Sequence, residues 1–423
     1  MAGSRCAVRK VPLDRGTWPR FVVVAATPTF LLTVTGPDRP GIAGRLFDAL
    51  GGRGVEVVDI AQITIRGHLV LCIEVAASSD LVQGDLEALA ASTGLSAEGI
   101  TVAVGPAEEH EATPVGRRLI VNLVAPVITA EDLAAIFLAV AGCGGSVERI
   151  IHLGTYPVNA YELLVIGSDL DQLRRELATQ AAKLTMDIAV QRAGLHRRAK
   201  HLIVMDVDST LLQGEVIDQL AEHAGVGDEV AAITEAAMRG ELDFAGALAA
   251  RVALLEGLEA SVLTELGRNL KLTPGARTLV RTLKRLGYVP ALVSGGFEEV
   301  IAELAAELGI EHVVANRLEV RDGKLTGRTT GPTIDRAAKA EALRRFAAEV
   351  GVPANQVVAV GDGANDIDML GAAGLGIAFN AKPALRDVAD TSLNIPYLDA
   401  VLFLLGISRE EIEALESGEL ASS

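Results

Sequence analysis

Two aspartates separated by a single residue, Asp206 and Asp208, begin a polar run whose side chains could carry out catalysis or bind a metal ion. The run reads Asp-Val-Asp-Ser-Thr and directly follows the apolar stretch Leu202–Met205, which we predict to be a buried strand. Because ligands of open α/β sheets bind at the carboxyl ends of parallel strands, an active site is expected at these carboxylates. A carboxylate there can act as a nucleophile, transfer a proton or bind a divalent metal.

Three later segments supply groups that would complement the acidic pair. They offer a hydroxyl with flexible backbone donors, a lysine cation and further carboxylates. The segments are Ser294-Gly295-Gly296 after a predicted strand at 290–293, Lys339 in the first turns of a predicted helix, and Gly361-Asp362-Gly363-Ala364-Asn365-Asp366 after a predicted strand at 357–360. Their joint occurrence, each at the end of a strand or the start of a helix, predicts a shared site for a metal and a phosphoryl group.

Each segment alone has an ordinary explanation. An isolated pair of aspartates is often solvated surface, and a single lysine is usually exposed. A Ser-Gly-Gly run can be a plain turn. A calcium loop of the EF-hand type does not fit, because its sixth and twelfth positions require Gly and Glu, whereas this chain has Leu211 and Ile217 there.

The elements that must position these groups lie in the second half of the chain. From about residue 198 to 407, apolar runs alternate with helical patterns, which predicts an α/β domain with a parallel sheet buried on both faces. Within it, residues from about 212 to 272 carry four helical patterns and are predicted to form a helical insertion. The last residues, 408–423, are acidic and are predicted to be a solvated or frayed tail.

The first half of the chain contains an internal repeat. Residues 28–107 and 115–193 each show the order strand, helix, strand, strand, helix, strand, with a period of about 85–90 residues. This pattern predicts two small α+β domains of the ferredoxin-like type. Residues 1–27 are an N-terminal extension, whose apolar run at 21–26 is too short for a signal peptide.

Composition argues against several classes of function. The chain of 423 residues has a formal net charge of −17, so electrostatic repulsion argues against a nucleic-acid partner. Its three cysteines, Cys6, Cys72 and Cys143, show neither metal-ligand spacing nor a disulfide framework, which favours a cytoplasmic location. No apolar stretch approaches the length of a membrane span, so no membrane partner is expected.

With its four motifs in order, the region 201–407 resembles the haloacid-dehalogenase-type (HAD) phosphatases, and among them the phosphoserine phosphatases. The resemblance implies Mg²⁺-dependent hydrolysis of O-phospho-L-serine to L-serine and phosphate, the last step of L-serine biosynthesis. It implies that Asp206 is the nucleophile, which forms an aspartyl-phosphate, and that Asp208 is first the acid and then the base. It implies that Mg²⁺ is bound by the Asp206 carboxylate, the Asp208 backbone carbonyl and Asp362.

The resemblance also assigns roles in binding the substrate. The residues expected to bind the phosphoryl oxygens are Lys339, Ser294, Gly295 and Asn365, and Asp366 is expected to orient Lys339 or a metal-bound water. Residues 212–272 would form a mobile cap, in which Glu215 would bind the substrate ammonium group and Arg251 its carboxylate. Met238 and Phe244 would pack around the substrate backbone. Without the resemblance, these four cap residues would be interpreted as surface charges and core residues.

The repeated half resembles a tandem pair of ACT domains, which are ligand-sensing modules attached to enzymes of amino-acid metabolism. The resemblance rests on the βαββαβ order and on the turn Gly36-Pro37-Asp38-Arg39-Pro40-Gly41. It implies that Asp38 and Gly41 help to bind an amino-acid effector, plausibly L-serine, although a plain tight turn is the alternative. The second copy lacks the Asp and the closing Gly at the equivalent turn, 124–129. ACT domains usually pair, so a homodimer is expected.

Two other functions stay open. The chain could act on another small phosphate ester, or transfer the phosphoryl group to a different alcohol. It could instead be an amino-acid sensor with a vestigial catalytic domain. The intact Asp206, Asp208, Lys339 and Asp362 argue against this last function.

Overall fold

The computed structural model describes residues 6–10, 21–25, 28–53, 55–76, 81–107, 118–194, 197, 199–239, 241–386 and 388–417. The chain divides into two compact units, residues 1–112 and 113–423. In the expected N-terminal extension, strands β1 (Cys6–Lys10) and β2 (Phe21–Ala25) pair in antiparallel orientation. Most of the expected linker between the repeats, and the last six residues of the chain, lie outside the described residues.

The first unit contains the first predicted βαββαβ repeat, and this order is confirmed. Its antiparallel sheet has the strand order β4-β5-β3-β6. The strands are β3 (Thr29–Pro37), β4 (Glu56–Ile65), β5 (His68–Ala76) and β6 (Thr101–Pro106), and the helices are α1 (Ile42–Gly51) and α2 (Gln83–Ser92). Leu46 and Leu86 from the two helices pack with Leu32 and Leu71 of the sheet in one core. The helices therefore cover one face of this sheet.

Strand β4 forms one edge of that sheet, and all ten of its residues are exposed. Its exposed large aliphatic residues are Val57, Val58, Ile60, Ile63 and Ile65. Proteins usually protect an edge strand of this length with charges, bulges or a covering partner. This strand therefore presents an apolar edge within the first unit.

The second unit begins with the second repeat, which has the same confirmed order. Its antiparallel sheet has the strand order β10-β7-β9-β8. The strands are β7 (Arg118–Ala125), β8 (Ser146–Gly154), β9 (Asn159–Ile166) and β10 (Asp187–Arg192), and the helices are α3 (Ala130–Gly142) and α4 (Leu170–Leu184). Helix α3 begins after Thr129, whose hydroxyl accepts a hydrogen bond from the Asp132 backbone N–H at 3.2 Å.

The remainder of the second unit is built on the predicted α/β sheet. It has seven strands in the order β14-β13-β12-β11-β15-β16-β17, and all neighbours are parallel except β13 and β14. The strands are β11 (Leu202–Met205), β12 (Val289–Phe297), β13 (His312–Arg321), β14 (Lys324–Thr330), β15 (Val357–Gly361), β16 (Leu375–Phe379) and β17 (Thr391–Leu393). Since β11 lies between β12 and β15, the three motif-bearing strands end side by side.

The central strand β11 is buried on both faces, as its unbroken apolar run predicts. Ile203 and Met205 pack into the apolar core on one side of the sheet, and Leu202 and Val204 into the core on the other. Successive side chains of a strand point to opposite faces, so one four-residue strand contributes to both layers.

The insertion after β11 is helical, as predicted. Its helices are α5 (Val216–Ala224), α6 (Gly227–Met238), α7 (Phe244–Ala253) and α8 (Ser261–Asn269). The two connections to the sheet run side by side, because Leu212 and Leu272 form an antiparallel bridge. The Gln213 N–H donates to the Lys271 carbonyl at 2.8 Å, and the Thr273 N–H donates to the Leu211 carbonyl at 2.9 Å.

Further helices flank the sheet. They are α9 (Ala276–Arg285), α10 (Glu298–Leu308), α11 (Arg336–Val350), α12 (Ile367–Ala372), α13 (Pro383–Arg386) and α14 (Val401–Leu404). Among the helices in the described ranges, none combines the length and the apolar character needed to cross a membrane.

The interpretation of the C-terminal residues as a frayed tail is wrong for residues 409–417. These residues form helix α15 (Arg409–Ser417), and its Ile412 is 1% exposed within the core of the second unit. On its outer face, Arg281 donates a hydrogen bond to Glu416. The segment is rich in acidic residues, which suggested solvation, but its few apolar residues include Ile412, which anchors the helix in the core.

The second repeat and the α/β domain are packed together within the second unit. Val124 and Leu153 of the repeat share one apolar core with Phe403 of the α/β domain. At this interface Arg197 forms a buried ion pair with Glu162 at 2.5 Å. Removing one partner of a buried ion pair leaves an uncompensated charge, so this contact favours a fixed arrangement of the two parts.

Candidate active site

The acidic run at the end of β11 folds into an irregular helical turn, Val207–Leu211. Ser209 has a φ of +57°, in the left-handed region that residues other than glycine seldom adopt. The Asp206 N–H donates to the Val360 carbonyl at 2.9 Å, which ties the start of this loop to β15. Asp206 is 3% exposed and Asp208 is 8% exposed, so both carboxylates are buried.

A lysine from a distant helix pairs with the first of these carboxylates. Helix α11 begins after Asp335, whose side chain accepts a hydrogen bond from the Ala338 N–H at 2.9 Å. This start brings the Lys339 Nζ atom to 2.7 Å from Asp206 Oδ1 and to 2.8 Å from Asp366 Oδ1. The Lys339 side chain is fully buried, so its ammonium charge is compensated by two carboxylates rather than by water.

Asp366 holds the lysine and the neighbouring loop together. Its Oδ1 atom accepts the hydrogen bond from Lys339, as expected for a residue that orients this lysine. Its Oδ2 atom accepts hydrogen bonds from the backbone N–H groups of Asp362 at 3.1 Å and Gly363 at 3.0 Å. The loop that carries Asp362 is therefore fixed relative to Lys339.

Asp208 connects the sheet to the helical insertion. Its Oδ1 atom accepts a hydrogen bond from the N–H of Val216, the first residue of α5, at 2.7 Å. Its Oδ2 atom accepts a hydrogen bond from the Ser294 hydroxyl at 3.0 Å, and the Ser294 oxygen accepts one from the Gly296 N–H at 2.8 Å. Ser294 thus contacts Asp208 directly, which the sequence did not predict.

Two motif glycines are required by these close approaches. A Cβ atom at Gly296 would lie 2.6 Å from Asp208 Oδ2. A Cβ atom at Gly361 would lie 2.5 Å from the Asp366 carboxyl carbon. Only a residue without a side chain lets the backbone come this near to the two carboxylates.

Three carboxylates lie close enough to share a cation. Asp206, Asp362 and Asp366 each have an oxygen atom within 4.8 Å of the other two, and no other such cluster occurs among the described residues. Both oxygens of Asp366 already accept hydrogen bonds, so Asp206 and Asp362 are the better ligands. A donor set made of oxygen atoms suits a hard divalent cation such as Mg²⁺.

The electrostatics of the cluster agree with this fit. Burial, followed by the charge of Asp366, raises the pKa of Asp206 well above its usual value, although Lys339 opposes this shift. The same causes raise the pKa of Asp362 to about 6. Burial also raises the pKa of Asp208, against the effect of its hydrogen bonds from Val216 and Ser294. A bound cation would stabilise the ionised carboxylates.

Lys339 remains charged in this environment. Burial alone would lower its pKa, but the neighbouring charges of Asp206 and Asp366 outweigh burial and raise the pKa above its usual value. The lysine therefore supplies a permanent positive charge beside Asp206.

Most of the predicted site residues surround one cavity that is partly open to solvent. The predicted residues that line it are Asp206, Asp208, Glu215, Phe244, Arg251, Gly295, Asp362 and Asn365. Lys339 and Ser294 do not line this cavity, but contact Asp206 and Asp208 from behind. Met238 is the last residue of α6, and its side chain lies outside the described part of the structure.

Glu215 faces the cavity immediately before helix α5. The residue as a whole is exposed to solvent, but many protein atoms surround its carboxyl group. This crowding, and then the charges of Asp208 and Asp362, raise the pKa of Glu215 to about 7. The Ser209 hydroxyl donates a hydrogen bond to it at 3.2 Å. A cation bound beside Glu215 would favour its ionised form.

Gly296 and Gly363 of the predicted motifs also line the cavity, and three lining residues were not predicted: Ile217, Leu248 and Lys382. Leu248 lies one helical turn after Phe244 and one turn before Arg251, so helical spacing could have identified it. Lys382 follows the end of β16 by three residues, and the strand-end argument used for the other motifs would have pointed to it.

The two predicted effector residues lie in the first unit. Asp38 is exposed, and its carboxylate accepts a hydrogen bond from the Thr64 hydroxyl at 3.2 Å. Gly41 precedes α1 with a φ of +90°, and no atom lies within 4 Å of a Cβ built there. The start of α1 is therefore open on this side, as a ligand at a helix N-terminus would require.

Comparisons with protein families match both halves of the chain. A model of the haloacid dehalogenase-like hydrolases matches residues 203–371. Two models of ACT domains match residues 28–98 and 118–191. These matches agree with the resemblances that the motifs and the repeat indicated.

Several curated proteins are similar over nearly the whole chain. The chain is 53% identical to a phosphoserine phosphatase of Streptomyces coelicolor, over 92% of this chain and 95% of that protein. It is 49% identical to phosphoserine phosphatase SerB2 of Mycobacterium tuberculosis, over 93% of this chain and 97% of that protein. A solved structure of a probable phosphoserine phosphatase from Vibrio cholerae is similar with a TM-score of 0.56 at 32% identity, over 72% of this chain and 90% of that one.

The raised pKa of Asp362 predicts how the metal-free protein responds to pH. A folded-state pKa of about 6, above the value of about 3.9 in an unfolded chain, stabilises the fold at low pH. That contribution is lost as the pH rises from about 4 through 6. In EDTA, we expect the Tm to fall by several degrees between pH 4.5 and 7.5, since one pKa unit is about 1.4 kcal/mol and 1 kcal/mol shifts Tm by roughly 2–4 °C.

Calorimetry in EDTA and in Mg²⁺ measures this effect. The fall should be smaller in Asp362→Asn, unchanged in the exposed control Asp228→Asn, and weakened in wild type by Mg²⁺. The same fall in Asp362→Asn as in wild type would mean that Asp362 does not contribute to it.

Proposed function

The chain belongs to the phosphoserine phosphatase family, whose members are phosphoric monoester hydrolases, and from this membership we propose that it hydrolyses O-phospho-L-serine to L-serine and phosphate. The observation that carries the proposal is the contact of the Lys339 Nζ atom with Asp206 Oδ1 at 2.7 Å. Asp208 and Asp362 line the same cavity as Asp206. A nucleophile, a proton donor and a cation are thus available to one phosphate ester.

We propose Asp206 as the nucleophile. One of its carboxylate oxygens forms a bond to phosphorus as the bond between phosphorus and the serine oxygen breaks, which gives an aspartyl-phosphate. Because the Lys339 ammonium lies beside it, Asp206 stays oriented, and the charge of the phosphoryl oxygens is partly neutralised. Gly295 and Asn365 line the cavity and can donate hydrogen bonds to the phosphoryl oxygens.

We propose Asp208 as the acid and then the base. Its raised pKa suits a group that gives a proton to the departing serine oxygen. In the second step it takes a proton from the water that attacks phosphorus, and the bond from phosphorus to Asp206 breaks. Its hydrogen bonds from Val216 and Ser294 hold the carboxyl group in place for both transfers.

We propose Mg²⁺ as the cofactor, held by the carboxylates of Asp206 and Asp362 together with the Asp208 backbone carbonyl. When bound, the ion supplies positive charge to the phosphoryl oxygens and to the carboxylates around it. Support comes from the all-oxygen donor set and the raised pKa values of Asp206 and Asp362. Asp366 keeps Asp362 in position through its two backbone hydrogen bonds.

The helical insertion, 212–272, is proposed to act as a cap that recognises the serine part of the substrate. Arg251 would bind the substrate carboxylate through paired N–H donors, and Glu215 would bind the ammonium group. Phe244, together with Met238, would contact the substrate carbon atoms. The proposal is supported by the position of Phe244, whose ring lies 3.3 Å from a Cβ built on Gly295 in the opposite wall.

We further propose that the ACT domains bind an amino acid, with L-serine as the candidate, and that the protein is a homodimer. The open N-terminus of α1 beside Asp38 supports an effector site. The fully exposed, apolar edge strand β4 supports pairing with a second copy. The cytoplasmic location and the absence of nucleic-acid and membrane partners remain predictions from composition.

Replacing the nucleophile provides the main test. Asp206→Asn keeps the side-chain shape but removes the charged oxygen, so phosphate release from O-phosphoserine should fall by at least roughly 10³-fold. The exposed control Asp228→Asn should keep wild-type activity, and circular dichroism should show that both variants are folded. Equal rates in Asp206→Asn and wild type would contradict the assignment of Asp206.

Truncated substrates test the roles in the cap. Arg251→Met should raise the KM for O-phosphoserine by roughly 10- to 100-fold, since a hydrogen bond to a charged group contributes about 1.5–3 kcal/mol. The same variant should act on O-phosphoethanolamine, which lacks the carboxylate, much as wild type does. Glu215→Gln should raise the KM for O-phosphoserine as well, but should act much as wild type does on 3-phosphoglycerate, in which a hydroxyl replaces the ammonium group.

Control substrates separate this proposal from its alternatives. If wild type prefers an ester without an amino-acid group, or transfers phosphate to added alcohols faster than to water, the substrate or the reaction is different. An equal KM change for all three esters in Arg251→Met would mean that Arg251 does not recognise the carboxylate.

Effector binding is tested on the full chain. L-Serine should raise the Tm and lower turnover in wild type, and Asp38→Ala should lose both responses. Asp48→Ala, an exposed change in helix α1, which follows the turn that carries Asp38, should retain them. No response of wild type to L-serine would contradict the effector.

The dimer is tested separately. Light scattering of the full chain should give twice the mass of one chain, and the mass of a monomer would contradict the dimer.

A further inference from the structure

Asp187, the first residue of β10, reaches from the second repeat into the α/β domain. It is 6% exposed, although it belongs to neither the predicted nor the described active site. Its Oδ2 atom accepts a hydrogen bond from the backbone N–H of Asn394, and its Oδ1 atom accepts one from the Asn394 side-chain amide, both at 2.6 Å. Both oxygens of a buried carboxylate are therefore used to hold one residue of the neighbouring domain.

The residues on either side of Asn394 are bound to Asn380. The Asn380 backbone N–H donates to the Leu393 carbonyl at 2.7 Å, and its side-chain amide donates to the Ile395 carbonyl at 3.2 Å. Asn380 directly follows β16 and has a φ of +44°, a left-handed conformation that asparagine tolerates better than most residues. Asp187 thus holds the segment 393–395, to which Asn380 is hydrogen-bonded.

From Asn380 the chain enters the active site within two residues. The Lys382 backbone N–H donates to the Asp362 carbonyl at 3.0 Å, and the Lys382 side chain lines the catalytic cavity. The Arg386 Nε atom donates to the Ala381 carbonyl at 2.6 Å, so the loop is held from its other end as well. The loop 380–386, which includes the short helix α13, therefore contacts the backbone of the proposed metal ligand Asp362.

We propose that Asp187 is a positioning residue for the active site. Through Asn394 and Asn380 it fixes the loop 380–386, and this loop supports Asp362 and presents Lys382 to the cavity. The second ACT domain is then a structural part of the catalytic centre, in addition to any role in sensing. The inference rests on the proposed function and deepens it, because it concerns the position of the proposed metal ligand Asp362 and of Lys382, which lines the same cavity.

A change at another residue of β10 distinguishes a positioning role of Asp187 from a role in holding the two domains together. Gln191 in β10 is 7% exposed, and its side-chain amide donates to the Leu404 carbonyl at 3.0 Å. It therefore holds the same two domains together, but at helix α14 rather than at the loop. A change at Gln191 weakens docking without touching the path from Asp187 to Asp362.

The experiment compares Asp187→Ala, Asp187→Asn and Gln191→Ala in the full chain. Mg²⁺ affinity is measured from the rise in Tm on Mg²⁺ titration, and Mg²⁺ activation from phosphate release. In Asp187→Ala we expect both half-saturation concentrations to rise roughly 3- to 10-fold, with kcat at saturating Mg²⁺ within about twofold of wild type. Asp187→Asn can still pair with a flipped Asn394 amide, so it should restore most of the Mg²⁺ affinity.

A second variant tests the path itself. Asn380→Gly keeps the positive φ and the backbone N–H but removes the contact with Ile395. It should weaken Mg²⁺ binding in the same direction, and the double variant Asp187→Ala with Asn380→Gly should be no weaker than the more affected single variant. Fully additive losses would mean that the two residues act independently.

The outcomes are distinct. Unchanged Mg²⁺ binding in Asp187→Ala, or an equal loss in Gln191→Ala, would overturn the positioning role. If Asp187→Ala does not fold, the same comparison between Asn380→Gly and Gln191→Ala decides the question. If wild type binds Mg²⁺ but releases no phosphate from O-phosphoserine, the proposed function fails, while the Tm titration still tests the role of Asp187.

Discussion

The buried contacts of Lys339 with Asp206 and Asp366 are the interaction on which the rest of the site depends. Several carboxylates are drawn out of water at the ends of adjacent strands, and their mutual repulsion would favour protonated side chains. One fully buried ammonium group offsets part of that repulsion. The acidic centre can therefore be preformed, with its remaining negative charge directed at the place where a cation fits.

This arrangement also reconciles a strongly acidic chain with an anionic substrate. A net charge of −17 repels a phosphate ester at long range, so attraction must be local. Cationic groups close to the cavity include Lys339, Arg251 and Lys382, and a divalent cation held by Asp206 and Asp362 would add to them.

Much of the fold followed from periodicity, and much of the site from motifs at strand ends. Asp206 and Asp362 were found because parallel strands end at one edge, so residues far apart in sequence meet there. Contacts that depend on how two domains pack left no such signal. The pairing of Asp187 with Asn394 joins residues with no shared motif, and Ile412 is one of few apolar residues in an acidic segment. Lys382 belongs to none of the motifs and lies three residues beyond the end of β16, so only its position near a strand end indicates the site.

The bridge between Leu212 and Leu272 has a consequence for how such an enzyme can diversify. The polypeptide leaves the sheet and returns to it at nearly one point, so the whole insertion is attached to the α/β domain through two adjacent connecting segments. On the proposed role of the insertion, replacing it would change which substrate is bound while the strand order stays the same, provided that the new segment keeps the backbone donor that Val216 gives to Asp208. Selectivity and reactivity are thus separable properties in this architecture.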